Sequence, residues 1–422
     1  MTKTVLLVLA TSLLGPTLLR GDEPKTAQEA EADAFPRGEP AKFGINGDAL
    51  EKLRKRAEEA KSDAVVILKD GRLVADWDFG RERGPIEAMS ATKSIVSLAI
   101  GRLIDAGKIK SIDQPVCEFY PEWKQGRKKL ITLRHLLSQT SGLQNVASTP
   151  VEINPSPDFV QLALAAELSD EPGSKFLYNN KAVNLLAGVV QRASGMRMDK
   201  YLAKEIFEPL GMTEVGWTLD RSGNPHGMSG LQIRAIDLAK IGQMMLDEGS
   251  WKGKQILSKD WVSKSIAPSQ DLYPSYGLLW WLHPESESLA VDDSIVKHFK
   301  DKGMTKASLK KLESLKGKPI EATKFWSTVG QILRGDEVLK TKLAELNAGL
   351  PQLKPIVSGP VRSYEAQGYL GQYLIVIPRD RIVAVRQRRG PGTNNPEEES
   401  KRGFAGFGEA VAALVEEPAG KP

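Results

Sequence analysis

The sequence predicts an α/β fold of the α+β kind: one antiparallel sheet flanked by helices, joined to a mainly helical subdomain. Three observations lead there. Ala64-Val65-Val66-Ile67-Leu68, the turn Asp70-Gly71 and the run Arg72 to Trp77 spell a β-hairpin near the N-terminal end. Tyr373 to Ile377 and Ile382 to Arg386, joined by Pro378-Arg379-Asp380-Arg381, spell a second near the other end. Between them helical spacing dominates. If the two hairpins join, they form one sheet with the first and last helices on one face and the helical middle on the other.

The elements follow in order. Lys3 and the apolar run Val5 to Ala10, continued through Leu19, predict an export signal over 1–21, too broken by Gly15-Pro16 for a confident membrane span. Residues 22–42 are polar and Ala/Glu/Pro-rich, which predicts a disordered leader. One large domain is expected over 43–420. Within it, Asp48 to Ala60 has helical spacing, and a dense apolar run, Ile95 to Ile104, predicts a buried helix opened by Ser90. Helices are expected at Phe159 to Glu167, Ala182 to Ala193, Met198 to Ile206 and Ile236 to Leu246, in a subdomain of approximately 120–250. Tyr276 to Leu282 reads as a strand and Phe404 to Val415 as a closing helix. Residues 284–355 are Lys-rich, with helical spacing at Ile332-Leu333, Val338-Leu339, Leu343 and Leu346. They read as an insertion between strands, either a solvated decoration or a lid over the site.

Composition narrows the function. A chain of 422 residues, 41% hydrophobic, can bury a large core. A net charge of +5 without a basic stripe interleaved with aromatics argues against nucleic acid as a partner. Cys117 is the single cysteine, so an internal disulfide framework is excluded. Four histidines in no ligand spacing make a metal site improbable, and no cofactor is expected. No stable membrane span is expected once the signal is removed.

The chemistry-bearing pattern is Ser-x-x-Lys, which occurs three times, at Ser90, Ser294 and Ser308. At a helix start it puts a hydroxyl and an amine one turn apart on one face. The second and third copies lie in the polar Lys-rich stretch and read as solvated helix faces. Ser90 and Lys93 open a buried helix, where a lysine needs a reason; the bland reading is a serine cap with Lys93 reaching solvent. Tyr178-Asn179-Asn180 adds a phenol and an amide. Serine is a weak nucleophile and needs a base. Lysine serves if burial lowers its pKa; alternatively, charged Lys93 lowers that of Tyr178, whose phenolate takes the proton. The sequence leaves both open.

In order along the chain, Ser90-x-x-Lys93, Ile131 to Leu143, Pro172 to Asn180, Ile236 to Gly242, Tyr276 to Trp281 and Gly368 to Tyr373 together resemble the serine β-lactamase-related hydrolases, the class C β-lactamase and penicillin-binding-protein-like group. The resemblance spans roughly Phe43 to Val415 apart from the insertion. It implies a β-lactamase/transpeptidase-like fold with Ser90 as acylated nucleophile, Lys93 beside it and Tyr178 shuttling protons. Asn180 would contact lysine and substrate. One oxyanion donor would be the Ser90 N–H and the other the backbone N–H at Tyr369. His135 and Ser141 lie in a structural motif of the group, which argues against a Ser-His-Asp reading.

One position departs from the group. Where its β-lactamases and carboxypeptidases carry Lys-Thr-Gly on the edge strand, this chain reads Ala366-Gln367-Gly368. A substrate carboxylate would lose a charge-assisted contact worth about 1.5–3 kcal/mol. The expectation is therefore an exported, periplasmic or extracellular, cofactor-free serine hydrolase acting on a small ester or amide. Gln367, Gly368, Tyr369 and Gln372 are candidate substrate contacts, with Gln372 equally readable as a strand-end structural amide. The alternatives are a D-alanyl-D-alanine carboxypeptidase or weak β-lactamase working on cell-wall peptide, and a non-catalytic cell-envelope binding module. Of Trp280 and Trp281, one is expected to face the core and the other the cleft.

Overall fold

The structure, a computed structural model, describes residues 35–80, 83–146, 148–334, 350, 353–390 and 396–415. The expected signal over 1–21 and the spacing at Val338-Leu339, Leu343 and Leu346 lie outside the described residues.

Twelve strands occur among them: β1 (Ala64–Lys69), β2 (Arg72–Asp78), β3 (Ile86–Glu87), β4 (Gly216–Trp217), β5 (Leu231–Ile233), β6 (Ser250–Trp251), β7 (Lys254–Gln255), β8 (Trp281–Leu289), β9 (Ile320–Glu321), β10 (Ile356–Gly368), β11 (Gln372–Ile377) and β12 (Ile382–Gln387). The main sheet has the order β2-β1-β12-β11-β10-β8-β9. The two hairpins join where β1 runs antiparallel to β12, with Val66 opposite Val385. Asp70 (φ 51°) and Gly71 (φ 71°) turn the first hairpin through the left-handed region that a tight two-residue turn requires.

The central strands are apolar without interruption because both faces are covered. On β1, Val66 and Leu68 enter one apolar cluster, while Val65 and Ile67 enter the other. The second cluster lies under the first and last helices, Gly47–Glu59 and Phe407–Ala412. The first cluster takes in the helices Thr92–Asp105, Asn180–Ser194 and Ala235–Leu246. The last of these lies close on the sheet at Gly242, where a Cβ would come within 2.5 Å of Val383 Cγ1 and 2.6 Å of Leu374 Cδ1. A small sheet, β3-β5-β4, connects the main sheet's helices to the helical subdomain.

Three expectations need correction. Residues 35–42 are not a disordered leader. Phe35 is buried edge-on to Trp251 at 5.5 Å, and Gly38 N donates to Leu73 O at 3.0 Å. The strand expected over Tyr276 to Leu282 starts only at Trp281; the residues before it make a tight turn, with Gly277 N bonded to Trp280 O at 2.8 Å and Leu279 at φ 65°. Apolar content there serves a buried turn. The closing helix expected over Phe404 to Val415 spans only Phe407–Ala412, because Phe404 (φ 52°) and Gly406 (φ 114°) leave the helical region and separate it from an unexpected helix, Pro396–Gly403. The described part of the insertion packs as a body of its own. It has its own apolar cluster, including Ile295, Phe299, Leu312 and Phe325. It is carried on the β8–β10 ribbon where Ser288 pairs with Ile356, seven residues and about 23 Å along the strand from Trp281 at ~3.3 Å per residue.

The two decoy motifs sit in this insertion. Lys297 pairs with Asp301 at 2.6 Å, and Ser294 donates to Asp292. Ser308 is buried, not solvated as expected, within hydrogen-bond distance (3.1 Å) of Thr305 Oγ1, while Lys311 is exposed.

Candidate active site

Ser90 lies in a short 3-10 turn, Met89–Ala91, that leads into the Thr92–Asp105 helix. The turn is held from both sides. Ala88 N donates to Leu231 O at 2.8 Å and Leu231 N donates to Thr92 Oγ1 at 3.3 Å, which pins it to β5. Met89 is left-handed at φ 48°, a conformation that an unbranched side chain rarely adopts and that re-aims the next residue. On the far side lies Gly368, the end of β10. A Cβ there would meet Ala88 O at 2.4 Å and Met89 Cβ at 3.0 Å, so only glycine lets β10 reach the turn.

Lys93 follows one turn later and is 2% exposed. Its Nζ donates to Ser90 Oγ at 2.9 Å and to Met228 O at 2.7 Å. The solvated-cap alternative is thereby excluded by burial. Burial pushes the Lys93 amine below its ordinary value, and the neighbouring Tyr178 phenol opposes that shift. The amine also lies 4.9 Å from the centre of the Tyr178 ring. Ser90, Lys93 and Tyr178 therefore meet in one cluster. The Met228 carbonyl is a member that no motif announced. Its loop is fixed by Asn184, whose Oδ1 accepts from Gly227 N at 2.9 Å and Met228 N at 3.1 Å.

Tyr178 is positioned by aromatic packing and by the segment Ile131 to Leu143. It stacks on Trp281 with centroids 5.8 Å apart and planes at 17°. Trp281 in turn meets Tyr276 and Tyr273 edge-on at 4.7 and 6.3 Å. Tyr276 is fully buried, which holds its hydroxyl well above the ordinary phenol value; it stays protonated and serves as wall. Gln139 O accepts from Leu177 N and Gln139 Oε1 from Asn179 N, both at 2.8 Å. His135 Nδ1 accepts from Thr132 N as part of a helix capping box, and Leu143 N donates to Ser141 Oγ, so both residues shape this segment. Trp280 is buried against Tyr364, leaving Trp281 as the cleft-side member of the pair.

Asn180 begins the Asn180–Ser194 helix. Its Nδ2 donates to Thr149 Oγ1 at 2.9 Å, and its Oδ1 is buried without a hydrogen-bond partner. The contact expected with Lys93 is replaced by Met228 O.

Strand β10, expected at the sheet edge but flanked by β11 and β8, separates the other candidates. Ala366 is fully buried, and no cation stands at this position. Gln367 was expected at the substrate, but strand alternation turns it to the opposite face, where Nε2 donates to Tyr373 Oη at 3.4 Å. Gln372 is also corrected. It is fully buried, its Nε2 donating to Arg388 O and its Oε1 accepting from Arg388 N at 3.1 Å, which realises the structural-amide alternative. Tyr369 follows Gly368 with its side chain 58% exposed.

Among the described residues, no group of three or more His, Cys, Asp and Glu side chains is placed to hold a metal ion, and no helix is long and apolar enough to cross a membrane.

The fold and this cluster together define a protein class, and comparison with known proteins names it. The Beta-lactamase family model matches residues 48–402, and the chain belongs to that family. A 6-aminohexanoate-dimer hydrolase from Paenarthrobacter ureafaciens is 25% identical over 262 residues, 54% of this chain and 64% of the relative. The match thus spans just under two thirds of that curated relative's length. Among solved structures, EstCE1, a hydrolase with promiscuous acyltransferase activity, superposes with a TM-score of 0.57 at 17% identity, covering 88% of this chain and 99% of the other. The octameric penicillin-binding protein homologue from Pyrococcus abyssi gives 0.53 at 20% identity, covering 85% and 76%.

Proposed function

We propose that the protein is a serine hydrolase that forms an acyl-enzyme on Ser90 and hydrolyses a small, uncharged ester or amide. The observation that carries this reading is the 2.9 Å contact between Lys93 Nζ and Ser90 Oγ inside a buried cluster that includes Tyr178. Burial favours the neutral amine, the form able to take the Ser90 proton as Oγ bonds to the substrate carbonyl carbon. The proton passes through the Lys93–Tyr178 pair to the leaving oxygen or nitrogen as that bond breaks. Water then attacks the acyl carbon, gives its proton back through the same pair, and releases the acid and Ser90. Ser90 N–H and Tyr369 N–H receive the developing oxyanion.

The buried Ala366 supports a substrate without a carboxylate at that end, and the half-exposed rings of Trp281 and Tyr273 support one with an apolar or aryl portion. The hydrolase and esterase relatives agree in kind with this class. The apolar segment behind Lys3 supports action outside the cytoplasm.

Intact-mass labelling tests the proposal. A fluorophosphonate should add one adduct to the protein and none to Ser90→Ala, while a fluorescent penicillin labels weakly. Strong penicillin labelling would favour the carboxypeptidase or β-lactamase alternative. No adduct with either probe would favour the binding module.

A further inference from the structure

Arg386, on β12, is fully buried and has no part in the proton transfers above. Its guanidinium donates to six acceptors. Nε reaches Ser62 Oγ at 2.7 Å; Nη2 reaches Ala60 O at 3.0 Å and Arg402 O at 2.6 Å. Nη1 reaches Gly371 O at 2.7 Å, Leu370 O at 3.2 Å and Gly403 O at 3.3 Å. Phe404 packs against the guanidinium, 5.7 Å from its carbon.

The acceptors come from three places. Ala60 and Ser62 end the first helix, and Arg402 and Gly403 end the Pro396–Gly403 helix, where carbonyls point outward and attract a cation. Leu370 and Gly371 belong to the short turn Tyr369–Gly371 that follows Gly368. This turn is left-handed twice in succession, with φ 68° at Leu370 and 76° at Gly371. A leucine held there carries strain on the order of 1–3 kcal/mol, which persists only where the surroundings enforce it. The guanidinium closes on this turn: it bonds both turn carbonyls, and a Cβ on Gly371 would come within 2.1 Å of Arg386 Nη1 and 2.2 Å of Gly403 O.

We propose that Arg386 is a positioning residue for the oxyanion site. It locks the Tyr369–Gly371 turn to the sheet and to both terminal helices, so that the Tyr369 N–H faces the carbonyl attacked by Ser90. An arginine is required because its planar fork addresses several fixed carbonyls at once, which a lysine cannot. The inference rests on the reading of Ser90 as nucleophile.

Arg386→Lys in the full chain tests it, with p-nitrophenyl ester hydrolysis and inhibition by an alkyl boronic acid whose Ser90 adduct is tetrahedral. In a variant folded by circular dichroism, kcat should fall by about 10²-fold, the cost of one misplaced oxyanion donor. KM should stay within about 3-fold, and boronate affinity should fall in parallel with kcat/KM. A merely structural role would not move the boronate and substrate affinities apart. A folded Arg386→Lys with undiminished kcat, or with KM and boronate affinity weakened equally, overturns the inference. If that variant does not fold, Ser62→Ala carries the test, since it removes only the bond to Nε. A loss of about 3–10-fold in kcat at constant KM supports the role, and an unchanged kcat overturns it. Failure of the wild-type protein to form a Ser90 adduct would instead overturn the reading on which the inference rests.

Discussion

At Ser90, two hydrogen bonds decide what a helix-start serine does. Lys93 is buried, and its amine is held by Ser90 Oγ and Met228 O. Its lowered pKa has a stability consequence whose sign is fixed. Between the folded value and the ordinary 10.5, the unfolded chain holds more protons than the folded one, so stability rises with pH across that window. Lys93→Met abolishes this slope. The gap between the thermal midpoints of Lys93→Met and wild type should therefore shift in the wild type's favour from neutral pH toward 10; a gap independent of pH would mean the amine is not depressed. The same shift predicts that kcat/KM for a neutral ester rises with pH to a limb below 10.5, a limb belonging to the Lys93–Tyr178 pair and absent from Lys93→Met. The serine, lysine and tyrosine were readable from spacing because each is a side chain with its own chemistry. Met228 was not, because the group it supplies is a backbone carbonyl, which any residue carries.

At the level of elements, the turn that carries Ser90 is the meeting point of β5 and the end of β10. Gly368 is the narrow point of that meeting. Its φ of −133° is open to any residue, so its demand is purely one of space. Gly368→Ala would put a methyl group 2.4 Å from Ala88 O and displace the end of β10 from Ser90. We expect a fall in kcat of about 10²-fold or more, as for misplaced oxyanion donors, measured on a p-nitrophenyl ester. Gly368 is buried, so the comparison is made on variant protein folded by circular dichroism; an active Gly368→Ala would move the oxyanion site elsewhere. The hairpins β1–β2 and β11–β12 were legible because turn residues and apolar runs are local signals. The Tyr276–Trp280 turn was not, since its aromatic and apolar residues are those of a strand and the turn is held by distant partners, Leu278 N bonding Ser265 O and Leu279 N bonding Leu137 O. Gln367 and Gln372 illustrate the same limit: alternation predicts that neighbours face opposite ways, but which face holds Ser90 depends on the sheet's place in the molecule.

For the whole molecule, the insertion and the catalytic core are separate bodies of apolar packing sharing one ribbon. Ser288 and Ile356 are already paired neighbours, so residues 290–354 can be replaced by a short Gly/Asn turn. The truncated chain should hydrolyse the same ester within about 2-fold of the wild type, as expected of distant, independent sites. A loss of ten-fold or more in a folded truncation would favour the lid reading. Long-range contacts hold the catalytic body together: Lys93 meets Met228 across 135 positions and Arg386 meets Ser62 across 324.

Taken by itself, the sequence determined the two hairpins, the helical middle, the placing of the insertion, the chemical types at Ser90, Lys93 and Tyr178, and the missing cation at Ala366. These are patterns of period, turn chemistry and side-chain identity that need only neighbours to be read. The tertiary structure alone decided that Lys93 is buried, that Met228 O shares its amine, that Gln367 and Gln372 face away, and that Arg386 grips the turn beside Gly368. Burial and backbone contacts arise only when distant segments pack, and a carbonyl or an N–H bears no residue's name.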